Sequence, residues 1–267
     1  MISLKDVYAG YGNKEVLHGV SMSLNEPGIY VLLGKNGAGK TTTLRVIAGI
    51  LSPWRGSVSV EGKRVGYLSH SLGLPQEMTV REALSFFKEM IGGDQDKVIQ
   101  DLELQPLLDK KISQLSQGQK KRVSIAKSMM LDYNVILMDE PTENLDPEVA
   151  SKLRQRITQL SKDKVILYTS HNLYEARELG RFVIVLNEGK ISTFLPISEL
   201  RTSDYEIGIR ASEDISGIVD CTKRGDYFVI KLKDPEEVNP IIQKIMNKNI
   251  KIYEIKEMSN PLEDLLR

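Results

Sequence analysis

The string GKNGAGKT at residues 34–41 fits the spacing G-x-x-x-x-G-K-[ST] and lies between an apolar, strand-like run and a helix-compatible run. Its glycines permit a tight turn in which successive backbone N–H groups converge, the geometry of an anion cradle. A helix starting directly behind the turn adds the positive end of its dipole. Lys40 can then reach the terminal phosphates of a nucleotide, and the Thr41 hydroxyl a magnesium ion. The implied unit is strand, loop and helix around a nucleoside triphosphate.

Size and charge narrow the setting. A chain of 267 residues has room for one large domain and a small appendage. Lys plus Arg and Asp plus Glu both number 36, so no net field draws the chain to nucleic acid or to an anionic membrane. The single Cys221 excludes an internal disulfide and fits a reducing cytosol. The start, MISLKDVYAGYG, lacks the apolar core of a signal peptide. Uncharged apolar stretches such as residues 135–138 and 183–186 fall far short of the ~20 residues a membrane helix needs. Movement of anything across a membrane would require a pore built by another chain.

Three short apolar runs, GIYVLL at 28–33, VILM at 135–138 and VILYT at 165–169, read as buried parallel strands. They end at the phosphate loop, at Asp139-Glu140 and at Ser170-His171 respectively. Open α/β sheets bind ligands at such carboxyl ends. Between the first two runs, residues 72–132 form a mostly helical insertion. Within it Thr79 and Glu82 have capping-box spacing, and Val80, Ala83, Leu84, Phe87 and Ile91 make one apolar stripe. Asp146-Pro147 suits the N-cap and first position of a later helix, whose buried face is Val149, Leu153, Ile157 and Leu160.

Composition shifts near Arg201. Tyr205, Ile207 and Ile209, then Phe228, Ile230 and Leu232, alternate with polar residues as half-buried strands do. Asp234-Pro-Glu-Glu237 opens a helix with an apolar face of Val238, Ile241, Ile242, Ile245 and Met246, and Ile250, Ile252 and Ile255 suggest a further strand. The expectation is a small α+β unit of residues 203–267, one sheet face covered by one helix, behind a main domain of residues 1–202.

The chemistry around the loop is specific. Adjacent carboxylates at a strand end divide labour: Asp139 can hold the magnesium shell and Glu140 can orient or deprotonate the attacking water. Upstream, LSQGQ at 115–119 opens a helix with a hydroxyl and free amides, a second anion holder. One site within one chain has no need of two such holders. A head-to-tail dimer does.

With these motifs in order from Tyr11 to His171, the chain resembles the nucleotide-binding subunit of an ATP-binding cassette (ABC) transporter. GKNGAGKT resembles the Walker A loop, VILMDEPT the Walker B strand, LSQGQ the signature LSGGQ with Gln117 for Gly, and Asn144-Leu-Asp-Pro147 the D-loop. The resemblance implies a P-loop NTPase fold of the ABC type: a mixed α/β sheet core, an antiparallel β part and a helical subdomain. It implies ATP and Mg2+ as cofactors. ATP would be held by Tyr11, stacking on adenine, by Gly34, Lys35, Asn36, Gly37, Ala38, Gly39, Lys40, Thr41 and Thr42, and across the seam by Ser116, Gly118, Gln119 and Asp146. Glu140, His171, Lys40 and Ser116 would act in catalysis, with Thr41, Asp139 and His70 near the metal. His70 stands in GYLSH where the family usually has Gln, so its role is an open expectation, with Gln76 as rival.

The resemblance further implies a homodimer, or a heterodimer with a paralogous ATPase, and an integral membrane permease as partner. That places the chain in the cytoplasm, peripheral on the cytoplasmic face of the membrane. The appended unit and its Pro261-Leu-Glu-Asp-Leu265 segment resemble those of exporter-type subunits. A soluble ABC ATPase of cofactor assembly, translation or nucleic-acid handling is the alternative. No direct nucleic-acid binding is expected.

Overall fold

The computed structural model describes residues 1–61, 65–69, 73–131, 133–143, 145–171, 173–199, 205–232 and 237–259. The chain divides into two compact units, Met1–Phe194 and Leu195–Arg267.

The first unit is built on a six-stranded sheet. Strands β3 (Gly28–Leu33), β5 (Gly66–Leu68), β6 (Val135–Asp139), β7 (Val165–Ser170), β8 (Phe182–Asn187) and β9 (Lys190–Pro196) lie in the order β5-β6-β7-β3-β8-β9. The β5-β6, β6-β7, β7-β3 and β3-β8 pairs are parallel. Every residue of β3, β6 and β7 is buried, which is why these strands read as unbroken apolar runs instead of alternating ones. The register sets Leu33 beside Ser170 and Asp139 beside Thr169. Three neighbouring strand ends therefore open at one edge.

A second, antiparallel sheet joins β1 (Ile2–Tyr11), β2 (Lys14–Leu24) and β4 (Arg55–Val60) in the order β2-β1-β4. Leu4, Leu17 and Leu24 from this sheet share a core with Tyr30, Leu32, Leu137, Leu167 and Ile184 from the parallel one, and with Leu44 of helix α1 (Lys40–Ile47). Burying a Leu or Ile of this kind contributes about 1.5–3 kcal/mol. Emptying the centre, as in Leu32→Ala, costs about 2–5 kcal/mol.

The insertion is helical: α2 (Val80–Ile91), α3 (Gln95–Asp101) and α4 (Gln117–Met129). Thr79 and Glu82 close a full capping box on α2, and Val80, Ala83, Leu84 and Phe87 are buried. Helix α5 (Pro147–Leu160) has Asp146 at its N-cap and Pro147 in first position, but the Asp146 side chain makes no capping hydrogen bond. Helix α6 (Leu173–Leu179) follows β7.

The second unit holds a four-stranded antiparallel sheet, ordered β11-β12-β10-β13, of β10 (Tyr205–Ala211), β11 (Thr222–Arg224), β12 (Tyr227–Leu232) and β13 (Ile252–Ser259). Helix α7 (Val238–Met246) contributes Val238, Ile241 and Ile245 to the core formed with Ile207, Ile209, Phe228 and Ile230. Two apolar residues depart from the expected pattern. Met246 is 60% exposed although Ile245 beside it is fully buried: one residue turns the helix by about 100°, which takes Met246 off the buried stripe of Val238, Ile241 and Ile245. Ile255, expected in a strand, is in one but on the exposed face. Strand β11, all exposed and only three residues long, carries no apolar periodicity from which to read it. Among the described residues no helix is long and apolar enough to cross a membrane.

Candidate active site

The phosphate loop depends on its glycines. Gly39 has φ 108°, and a Cβ there would lie 2.8 Å from Leu17 Cδ2; at Gly34 it would lie 2.4 Å from the Leu186 carbonyl oxygen. Lys40 begins α1 and is buried, and its Nζ donates to the Gly34 carbonyl at 2.8 Å and more weakly to that of Lys35 at 3.4 Å. Lys35, Asn36 and Gly37 form the exposed rim, Ala38 and Gly39 are buried, and Thr41 is half-buried beside the buried Thr42.

Next to the loop, the end of β6 delivers two carboxylates into different surroundings. Asp139 is 1% exposed. Its Oδ1 accepts the Thr169 hydroxyl at 2.9 Å, while its Oδ2 is buried with no hydrogen-bond partner. Glu140 is displaced from the strand direction by a left-handed backbone, φ 47°. Such a conformation costs a non-glycine residue roughly 1–3 kcal/mol and persists when neighbours over-determine it. Here its N–H donates to Thr169 Oγ1 at 2.9 Å, and its carbonyl accepts Lys121 Nζ at 2.9 Å. The Glu140 side chain, 15% exposed, then lies 3.8 Å from Lys40 Nζ through Oε1 and 3.3 Å from His171 Nδ1 through Oε2.

Lys40, Asp139, Glu140 and His171, named from sequence, thus meet at one edge of the sheet. Other expected site residues lie on β1 and at the start of α4. Tyr11 has an exposed ring, with Arg45 Nη1 donating to its hydroxyl at 3.0 Å. Ser116 caps α4: its Oγ accepts the Gln119 N–H at 3.3 Å and its own N–H donates to Gln119 Oε1 at 3.1 Å. Gly118 lies in the same turn. His70, Asn144 and residues 260–267 lie outside the described residues. Among the described residues no group of three or more His, Cys, Asp or Glu side chains gathers as a metal cluster.

Sequence reading missed the residues that hold the acids in place. Thr169 was read only as the last residue of an apolar run, yet its one hydroxyl joins Asp139 to the backbone of Glu140. Lys121 stands in the helix-compatible run behind LSQGQ, with nothing in the sequence to single it out, yet it is buried; burial lowers its pKa while Glu143, Asp139 and Glu140 oppose that shift. Deeper in, the hydroxyls of Thr142, Tyr168 and Ser170 converge on Glu175 Oε2 at 2.9, 3.0 and 3.1 Å, and Arg154 Nη1 reaches Oε1 at 3.5 Å. Burial, then the Glu175 charge, pushes the Tyr168 phenol far above its usual range. The network ties the segment after Glu140 to the segment before His171. Three consecutive hydroxyls at the end of an apolar strand, Tyr168-Thr169-Ser170, are the available signal.

Residues 17–143 match the family described as ABC transporter. The ABC transporter ATP-binding protein YxlF of Bacillus subtilis is 27% identical over 99% of this chain and 98% of its own length. The Nod factor export ATP-binding protein I of Burkholderia orbicola is 33% identical over 71% of this chain and 68% of its own. An import protein is similar at the same level: the sn-glycerol-3-phosphate import ATP-binding protein UgpC of Paracoccus denitrificans, 31% identical over 79% of this chain and 66% of its own. In three dimensions the chain is similar to the cassette MJ0796 in a dimeric post-hydrolysis state bound to ADP and Pi, with TM-score 0.67 and 23% identity over 74% of this chain and 99% of that one. Motif order, strand register and these likenesses agree: the chain belongs to the ATP-binding proteins of ABC transporters and is an ATPase of that family.

Proposed function

We propose that this chain hydrolyses ATP to ADP and phosphate as one half of a head-to-tail dimer and thereby powers a separate membrane permease. The observation that carries the catalytic part is the placement of the Glu140 carboxylate between Lys40 and His171 at the phosphate loop. In this reading Glu140 takes the proton of the attacking water. The water oxygen bonds to the γ-phosphorus, and the bond from that phosphorus to the bridging oxygen breaks, leaving ADP. His171 holds the Glu140 carboxylate in line, and Lys40 with the loop amides neutralises charge on the phosphates. Tyr11 supplies a flat face for adenine.

The donors present suit a magnesium ion. The buried Asp139 Oδ2 lacks a hydrogen-bond partner, which a cation or its water shell would supply, and the Thr41 hydroxyl would offer a further hard oxygen. When bound, the ion supplies charge neutralisation at the β- and γ-phosphates. His70 is kept as a proposed neighbour of this shell, with its ring nitrogen a poorer direct ligand for so hard a cation.

Ser116, Gly118, Gln119 and Asp146 are assigned to the second copy's nucleotide. The Ser116 turn opens α4 with a capping box, and the positive end of that helix suits an anion. The dimer is a homodimer, or a heterodimer with a paralogous ATPase. It works at the cytoplasmic face of the membrane, where the permease holds it. Export is the direction we favour, on the C-terminal unit, residues 203–267, read as an accessory domain of exporter-type subunits. No direct nucleic-acid binding is proposed.

The test of the chemistry is Glu140→Gln, which keeps shape and hydrogen bonding but cannot accept the proton. It is expected to bind ATP as the natural chain does and to lose roughly 10²–10⁴-fold in turnover. Turnover equal to that of the unaltered chain would remove Glu140 from this role. Co-purification with a polytopic membrane protein supports the transport assignment; co-purification with ribosomes or DNA in its place overturns it.

A further inference from the structure

Lys121 has no task in the mechanism above, yet its position is costly. It lies on α4, the helix whose N-cap is Ser116, and is 6% exposed. A methionine or leucine would fill the same space without desolvating an ammonium group, so packing alone does not account for it. Its Nζ donates to the Glu140 carbonyl oxygen at 2.9 Å, and Glu143, Asp139 and Glu140 supply the surrounding negative charge.

The contact matters because of what it holds. Glu140 has a left-handed backbone, and two hydrogen bonds pin its ends: Thr169 accepts its N–H, and Lys121 donates to its C=O. Thr169 belongs to β7 of the buried parallel sheet, whereas Lys121 belongs to the helical insertion. The residue proposed as general base is therefore anchored to both parts of the unit.

We propose that Lys121 is a positioning residue for hydrolysis, linking the place of helix α4 to the place of the Glu140 carboxylate. The link rests on the assignment of Glu140 as base. A displacement of α4 from the sheet pulls on the Glu140 peptide and takes its carboxylate out of line. Seating α4 restores it. The helix that presents Ser116 to a second copy thus also sets the acid of its own site.

The experiment compares ATP hydrolysis by the full chain with Lys121→Met, which keeps length and burial but has no donor, and Lys121→Arg, which keeps donor and charge. Glu140→Gln is run alongside, with a fluorescent ATP analogue for affinity and thermal melting for folding. Lys121→Met is expected to lower kcat tenfold or more, as misplacing a catalytic group by about 1 Å does, with KM and analogue affinity within about threefold of the unaltered chain. Lys121→Arg is expected to recover at least about a third of kcat, and adding Lys121→Met to Glu140→Gln to slow it no further. If Lys121→Met does not melt cooperatively, Lys121→Leu, equally without a donor, takes its place. A folded donor-free variant with kcat within about threefold of normal, or an equal loss in Lys121→Arg, overturns the proposal. An inactive Glu140→Gln beside an unimpaired Lys121→Met sinks the Lys121 link alone. Normal turnover in Glu140→Gln removes the base assignment, and the link with it.

Discussion

His171 Nδ1 stands 3.3 Å from Glu140 Oε2, and the two residues reach that distance from opposite degrees of burial: the His171 side chain is 59% exposed and Glu140 15%. The imidazole is thus the more solvent-exposed partner. Its removal should misplace the carboxylate without unfolding the sheet edge. His171→Ala is expected to lose about 10- to 100-fold in kcat while ATP affinity stays within about threefold. Stopped-flow binding beside steady-state turnover separates the two quantities.

Thr169 serves both acids through a single hydroxyl. Thr169→Val keeps the shape but leaves Asp139 Oδ1 and the Glu140 N–H unpaired, each a loss of about 1–3 kcal/mol. The magnesium concentration for half-maximal turnover should rise and kcat should fall, whereas Thr169→Ser restores both. A magnesium titration of the two variants checks this; equal behaviour of Val and Ser would remove the hydroxyl from the account.

Glu175 collects three hydroxyls and Arg154 on one buried carboxylate. Replacing it with Gln weakens hydrogen bonds to a charged acceptor, which contribute about 1.5–3 kcal/mol. For a domain of this size each kcal/mol lowers Tm by about 2–4 °C. Calorimetry of Glu175→Gln should therefore show a clear downward shift, and one below about 1 °C would contradict the network's structural role.

The cap of α2 gives a pH dependence with a definite sign. The Thr79 N–H, then its hydroxyl, hold the Glu82 carboxyl below the usual carboxylate range. A depressed pKa contributes stability above the unfolded value and loses it as pH falls through the folded one. The natural chain should thus melt above Glu82→Gln near neutrality, and the gap should close on acidification below about pH 4. A gap that widens in acid would reverse the assignment.

How far the sequence could be read depended on whether each contact is local. The phosphate loop, the capping box of Thr79 and Glu82 and the acid pair were legible because glycine spacing, three-residue caps and strand ends leave marks in consecutive residues. The burial of β3, β6 and β7 was legible from unbroken apolar runs. Lys121 and Glu175 were not, since a charged residue in a helix reads as solvent-facing until a distant chain segment is placed against it. Met246 failed for the opposite reason: an apolar residue near the stripe reads as part of it, but the buried stripe is Val238, Ile241 and Ile245, and Met246 lies one step round the helix from it.

The central claim is that two copies complete each other's sites. The direct test is the ATP turnover per chain measured across a wide range of protein concentration, with the mass in solution followed at each point. The account predicts that turnover per chain climbs with concentration as pairs form on ATP, and that Ser116→Ala depresses the plateau. A constant rate per chain, held down to concentrations at which only single copies are found, would contradict it.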